Sequence, residues 1–133
     1  MKILFVIPHY FGAGSGAFMS NSGTGKSLKV ESLKRCIGAL HQHFGKNQSH
    51  LQSDDSRAPA NSLFSHDVDV VVCVRGNDHL LDETYLPASS FRKYVTNIDN
   101  PQLLGYSCYE VFRDSFGGYD WYCFLEDDLL IND

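Results

Sequence analysis

Residues 68–76 read VDVVVCVRG, and this stretch decides the fold of the chain. Residues 70–74 form an unbroken apolar run that stops at Gly76, which is typical of a strand buried on both faces. Two other runs share this character: residues 3–7, closed by Pro8, and residues 121–125. Such strands occur in parallel sheets whose two faces are covered by helices, so the three runs together predict an α/β fold.

The segments between the runs carry helical periodicity. One apolar stripe predicts a helix that begins at Lys26 and ends before Gly45; its members are Leu33, Ile37, Leu40 and Phe44. A second stripe predicts a helix between Asn100 and Gly117; its members are Leu104, Cys108, Val111 and Phe112. Residues 91–99 predict a short edge strand, and the polar residues 46–67 predict a solvated connection.

This alternation of strands and helices predicts a parallel, doubly wound, Rossmann-like sheet with flanking helices and the strand order 3-2-1-4. In such a sheet, ligands bind outside the carboxyl ends of the strands, at the point where the strand order reverses. The first strand ends at Pro8, His9 and Tyr10, and the fourth ends at residues 126–128. We therefore expect these two stretches to face one crevice.

Composition limits the possible partners. The chain has 133 residues, enough for one small domain, and a formal net charge of −5, which argues against nucleic acid as a partner. The four cysteines form no CxxC pair, which favours reduced core residues. The apolar run at residues 3–7 is too short for a membrane span or a signal peptide, so we expect a cytoplasmic protein, with peripheral membrane association left open.

The sharpest chemical signal is the acidic motif Glu126, Asp127 and Asp128, directly after an apolar strand. Adjacent carboxylates repel one another, and Mg²⁺ or Mn²⁺ is a cation that would compensate them while also binding phosphate oxygens. The alternative, a solvated acidic turn, stays open. At the opposite side of the crevice, His9 is a candidate for ligand contact, and Tyr10 is a candidate for stacking on a base.

Residues 20–30, SNSGTGKSLKV, contain a second candidate, the phosphate-binding loop of a nucleotide hydrolase around Lys26. That loop needs a glycine where this chain has Ser20, and it follows its strand directly, whereas seventeen residues separate Pro8 from Lys26. The other interpretation is a loop whose Thr24 or Ser27 caps the following helix. The glycine-rich run at residues 12–17 does not have the GxGxxG spacing of a dinucleotide site.

Two stretches resemble a known family. ILFVIPHY at residues 3–10 and NPQLLGYSCYEVFRDSFGGYDWYCFLEDD at residues 100–128 resemble the nucleotide-sugar-binding half of GT-A glycosyltransferases, with family 2 the nearest. Pro8 and Tyr10 match the Pro-x-Tyr end of that family's first strand. Residues 126–128 match its Asp-x-Asp motif as a Glu-Asp-Asp variant.

The resemblance implies roles for individual residues. It implies that Pro8 and Tyr10 line the pocket for the nucleotide base, and His9, placed between them by its position after the strand, is a further candidate to contact the nucleotide. Two carboxylates join the same donor site: Asp78, the nearest candidate to contact the base, and Asp127, which touches the ribose. It further implies that Asp128 holds Mn²⁺ or Mg²⁺, and the acidic motif adds Glu126 as a second candidate ligand. Arg75 is an alternative candidate in the same region, which would instead approach a phosphate.

The function that the resemblance implies is metal-assisted transfer of a sugar from a nucleotide-diphosphate sugar to a carbohydrate, lipid or protein acceptor. The chain stops five residues after the acidic motif, at Asp133, so we expect residues 1–133 to be the donor half of a longer domain, with the catalytic base downstream. Three alternatives stay open: a non-catalytic nucleotide-binding module, a nucleotidyltransferase, and a P-loop phosphotransferase.

Overall fold

The computed structural model describes residues 1–12, 23–46, 49–59 and 66–131. The described strands, in chain order, are β1 (Lys2–His9), β2 (Ser49–Leu51), β3 (Arg57–Pro59), β4 (Asp67–Arg75), β5 (Arg92–Thr96) and β6 (Trp121–Phe124). Four of them form one all-parallel sheet in the order β5-β4-β1-β6. The α/β class and the predicted strand order 3-2-1-4 are therefore confirmed.

One helix covers each face of the sheet. Helix α1 (Gly23–Phe44) packs on one face through Leu33, Cys36, Ile37 and Leu40, and helix α2 (Leu104–Asp114) packs on the other through Leu104, Cys108 and Val111. Successive side chains of a strand point to opposite faces. In β1, the odd-numbered Ile3, Phe5 and Ile7 belong to the α1 side, and Leu4 and Val6 belong to the α2 side. Burial on both faces explains the apolar runs of β1 and β4. The expectation was wrong for residues 121–125, because β6 lies at an edge of the sheet and its Trp121 and Phe124 are exposed.

Two details of the predicted elements are corrected. Helix α1 begins at Gly23 and not at Lys26, so positions 24 and 27 both lie within the helix. The polar stretch expected to be a plain connection contains the antiparallel pair β2 and β3. The second helix follows the prediction more closely: a 3₁₀ turn at Pro101–Leu103 leads into α2, and the Asn100 side chain accepts a hydrogen bond from the amide of Gln102 at 3.0 Å.

Backbone pairing between β1 and β6 ends at Val6 and Phe124, and we call the unpaired stretch beyond it, from Pro8 of β1 to Leu125, the opening. The last bond of this ladder runs from the amide of Leu125 to the carbonyl of Val6 at 3.1 Å. In a parallel ladder, the carbonyl of Leu125 would next accept from residue 8, and proline has no amide hydrogen. The ladder stops there, whereas β1 stays paired with β4 as far as His9 and Val74.

The four cysteines are free, as predicted, and three of them, Cys36, Cys73 and Cys108, are buried. Among the helices that the structure describes, none combines the length and the apolar character needed to span a lipid bilayer.

Candidate functional site

At the carboxyl edge of the sheet, His9 at the end of β1 contacts Asp127, which follows β6. His9 is fully buried, and its Nδ1 atom lies 2.5 Å from Oδ2 of Asp127. The other carboxylate oxygen, Oδ1, accepts a hydrogen bond from the ammonium of Lys29 in α1, also at 2.5 Å. The side chains of Lys29 and Asp127 are 16% and 9% exposed. We call these three residues the Asp127 network.

The hydrogen bonds fix the protonation of His9. The amide of Leu80 donates to Nε2 of His9 at 3.1 Å, so Nε2 acts as an acceptor and carries no proton. Nδ1 is therefore the nitrogen that donates a hydrogen bond to Asp127.

Two opposing effects act on the Asp127 carboxyl. Burial raises its pKa, because a charged group loses hydration, while the hydrogen bonds and charges of His9 and then of Lys29 lower it. The second effect prevails, and the pKa of Asp127 lies below its ordinary value. Asp127 is thus ionised near neutral pH although it is buried.

Helix α1 also holds the backbone of the acidic motif. The Ser32 hydroxyl donates to the carbonyl of Asp127 at 3.5 Å, and the Cys36 thiol donates to the carbonyl of Glu126 at 3.8 Å. Burial, followed by the charges of Asp127 and Asp128, raises the pKa of Cys36 to about 11, so its thiol keeps the proton that it donates. With Lys29, these side chains follow the helical spacing of three and four and form one face of α1.

The two outer carboxylates of the motif are exposed. Glu126 and Asp128 flank the buried Asp127 within a turn, in which the amide of Leu129 donates to the carbonyl of Glu126 at 3.2 Å. Among the described residues, no three His, Cys, Asp or Glu side chains form a group that could hold a metal ion. Two exposed carboxylates still fit the usual way of binding Mg²⁺ or Mn²⁺, through one or two carboxylates together with phosphate oxygens.

The predicted base-binding residues Tyr10 and Asp78 come together beyond the end of β1. The amide of Phe11 donates to the carbonyl of Asp78 at 2.9 Å. A methyl group on Gly12 would lie 2.8 Å from the Tyr10 hydroxyl and 3.0 Å from Cγ of Asp78, so both side chains border the same point. The half-buried Pro8 precedes them on the α2 side of β1.

The basic residues singled out in the sequence have protein partners. Arg75 donates to the carbonyl of Ile98 at 2.9 Å and to Oδ2 of Asp78 at 3.3 Å. Lys26 forms an ion pair with Glu83 at 2.7 Å, from helix α1 to the 3₁₀ turn Leu81–Thr84. The glycine-rich run at residues 13–17 and the Ser20 position lie outside the described residues. Ligand contacts for Arg75 and Lys26 stay predictions.

Lys29 was missed by the sequence analysis, although two signals pointed to it. It lies four residues before Leu33 and so extends the apolar stripe of α1 with a charged residue. His9 continues the odd-numbered positions of β1 that face α1. A lysine and a histidine on facing apolar surfaces need a partner, and Asp127 is that partner.

Comparison with family models, with curated proteins and with solved structures finds no match for this chain. The function is therefore inferred from the residues and geometry of the site itself.

Proposed function

We propose that the chain binds a nucleotide-diphosphate sugar together with a divalent cation, as the donor-binding part of a glycosyltransferase. In this proposal the sheet is the doubly wound, Rossmann-like sheet of the GT-A fold. The observation that supports it most is the position of Glu126 and Asp128. These two exposed carboxylates follow β6 at the carboxyl edge, and the strand order reverses between β1 and β6, where ligands of α/β sheets bind.

Each side of the opening has a role in the proposal. Tyr10 and Pro8 would line the base, and Asp78 would accept a hydrogen bond from it, with Arg75 holding the Asp78 carboxylate in place. Glu126 and Asp128 would hold Mn²⁺ or Mg²⁺. His9 and Asp127, predicted to touch the nucleotide, contact protein atoms in the structure, and their direct contact with a ligand stays a prediction.

The formal charge of −5 favours a bound cation as the partner of an anionic donor. When bound, a divalent ion neutralises the charge on the leaving nucleoside diphosphate. The side chains of Glu126 and Asp128 orient the diphosphate end of the donor, and Tyr10 orients its base. We assign Glu126, Asp128 and Tyr10 a role in binding the donor and no role in removing the proton from the acceptor.

The test is isothermal titration of UDP and of GDP into the protein, once with Mn²⁺ and once with EDTA. We expect one nucleotide to bind more tightly with Mn²⁺, and Asp128→Asn to weaken that binding on the order of tenfold or more, because one of two cation ligands loses its charge. Asp114→Asn is the matched control, since Asp114 is an exposed carboxylate at the end of α2, away from the carboxyl edge.

Equal affinity for both nucleotides in EDTA and in Mn²⁺ would contradict the proposal. Binding that survives Asp128→Asn would favour a module that binds nucleotide without a cation. A labelled nucleotide sugar identifies the chemistry, because glycosyl transfer releases a nucleoside diphosphate, whereas transfer of the nucleotidyl group releases a sugar phosphate. Loss of ATP binding in Lys26→Ala would instead favour the P-loop alternative.

A further inference from the structure

The ammonium of Lys29 occupies the position against Asp127 that a metal ion would otherwise take. It lies 2.5 Å from Oδ1, and both side chains are largely buried. The ion pair of Lys26 and Glu83 differs, because its members are 43% and 45% exposed. Opposite charges attract more strongly away from water, so the buried pair is the more strongly coupled of the two.

The second oxygen of Asp127 is engaged as well. Oδ2 lies 2.5 Å from Nδ1 of His9, which donates its proton there. A divalent ion approaching this carboxylate would meet the Lys29 ammonium at one oxygen and the His9 hydrogen at the other. It would have to displace Lys29, because two cations on one carboxylate oxygen repel each other.

We infer that Lys29 is the resident counter-ion of the acidic motif and keeps divalent cations off Asp127. Glu126 and Asp128 are then the carboxylates of the motif that a cation meets. The inference deepens the proposed function and rests on it, because it says how the cation of that site is bound. Lys29 is a positioning residue that acts through Asp127.

This assignment has a consequence for the order of binding. Mg²⁺ and Mn²⁺ prefer six oxygen ligands, and two carboxylates leave most of these positions to water or phosphate. The cation alone therefore binds weakly, and the diphosphate and the cation strengthen each other's binding. Without Lys29, Asp127 would be a buried carboxylate without its ammonium, and a cation would be drawn to it.

The first test is thermal unfolding of the whole chain with and without Mn²⁺, in the absence of nucleotide. We expect the Lys29→Met protein to bind Mn²⁺ at least about tenfold more tightly than the unsubstituted protein does. At a saturating concentration of Mn²⁺, the rise in Tm that Mn²⁺ causes should then be about 4 °C larger in the variant than in the unsubstituted protein. Lys34→Met is the matched control on the exposed side of α1. Lys29→Arg keeps the counter-ion and should respond as the unsubstituted protein does.

A Lys29→Met protein that folds only with Mn²⁺ supports the inference. A Lys29→Met protein that Mn²⁺ stabilises no more than the Lys34→Met control overturns it, and so does one that stays unfolded in Mn²⁺. These melts contain no nucleotide, so they decide the inference even if UDP and GDP fail to bind and the proposed function is wrong.

A second test uses the double variant Lys29→Met with Asp127→Asn. The double variant removes both charges and keeps a side-chain oxygen at position 127 that can accept the hydrogen bond from His9. If Asp127 is not a ligand, this variant binds Mn²⁺ and nucleotide within about threefold of the unsubstituted protein. A loss on the order of tenfold or more shows that Asp127 is a ligand and overturns the inference.

Discussion

Asp127 differs from the carboxylates on either side of it because it is buried and paired. Its neighbours Glu126 and Asp128 are exposed, so one short turn contains an internal anion and two surface anions. The residue types of the motif were visible in the sequence, and so was the position of His9 at the end of a buried strand. The division of roles within the motif was not visible, because it depends on Lys29, which lies 98 positions away from Asp127.

The lowered pKa of Asp127 predicts a loss of stability in acid. The carboxyl of an unfolded chain takes up its proton near pH 4, whereas folded Asp127 takes it up at a lower pH. The stabilisation is therefore complete above about pH 5 and is lost as the pH falls through the folded pKa, by about 1.4 kcal/mol for each unit between the two values. Urea unfolding in EDTA at pH values from about 5 to about 2 measures this loss.

The control for this prediction is Asp127→Asn. This variant is less stable at neutral pH, and its free energy of unfolding should fall less steeply in the same acid range. Parallel curves for the two proteins would show that Asp127 does not carry the acid sensitivity.

At the level of secondary structure, β1, β4, α1 and α2 were predictable because each carries an apolar pattern that its own burial demands. The apolar run of β6 also marked a strand, although Trp121 and Phe124 are exposed in the structure. The edge strand β5 has a weaker pattern, with exposed Arg92 and Lys93, and was still placed correctly. The start of α1 was missed because Gly23 and Gly25 are poor helix formers, and packing and pairing of the next turns outweighed that preference. The β2–β3 pair was missed because its strands are three residues long and mostly polar.

The break in the β1–β6 ladder predicts the effect of Pro8→Ala. The new amide hydrogen at position 8 meets the carbonyl of Leu125, so the ladder gains one bond. The gain of about 1 kcal/mol is offset by the greater freedom of the unfolded chain, and we expect stability to change by less than about 1 kcal/mol. Hydrogen exchange should show a protected amide at position 8, and titration should show weaker nucleotide binding because the opening narrows.

An unprotected amide at position 8 would contradict this account of the opening. An internal reference comes from the four residues of β1 that already pair with β6, because hydrogen exchange at their amides should not change. These residues are Ile3, Leu4, Phe5 and Val6.

Across the whole molecule, the thiols report on the integrity of both cores. Cys36 lies in the core under α1, and Cys73 and Cys108 lie in the core under α2. Burial raises the pKa of Cys36, and a hydrogen bond with Cys108 followed by burial raises the pKa of Cys73. At about pH 8, Ellman's reagent should therefore react with no thiol of the folded protein other than that of the half-buried Cys123. The other three thiols should react only when the protein unfolds.

The Cys123→Ser substitution should abolish any reaction of the folded protein with Ellman's reagent. In urea, three thiols of this variant should react. Rapid reaction of two or more thiols in the absence of urea would mean that one of the cores opens readily.

The central place of β1 has a consequence for how the chain reaches this state during synthesis. Strand β1 is synthesised before its partners, residues 67–75 and 121–124, and His9 and Asp127 are 118 positions apart in the chain. Until those partners are made, both edges of this apolar strand are unpaired and can bind other chains. Contacts between such distant segments make folding slow, so β1 stays unpaired while the rest of the sheet is synthesised.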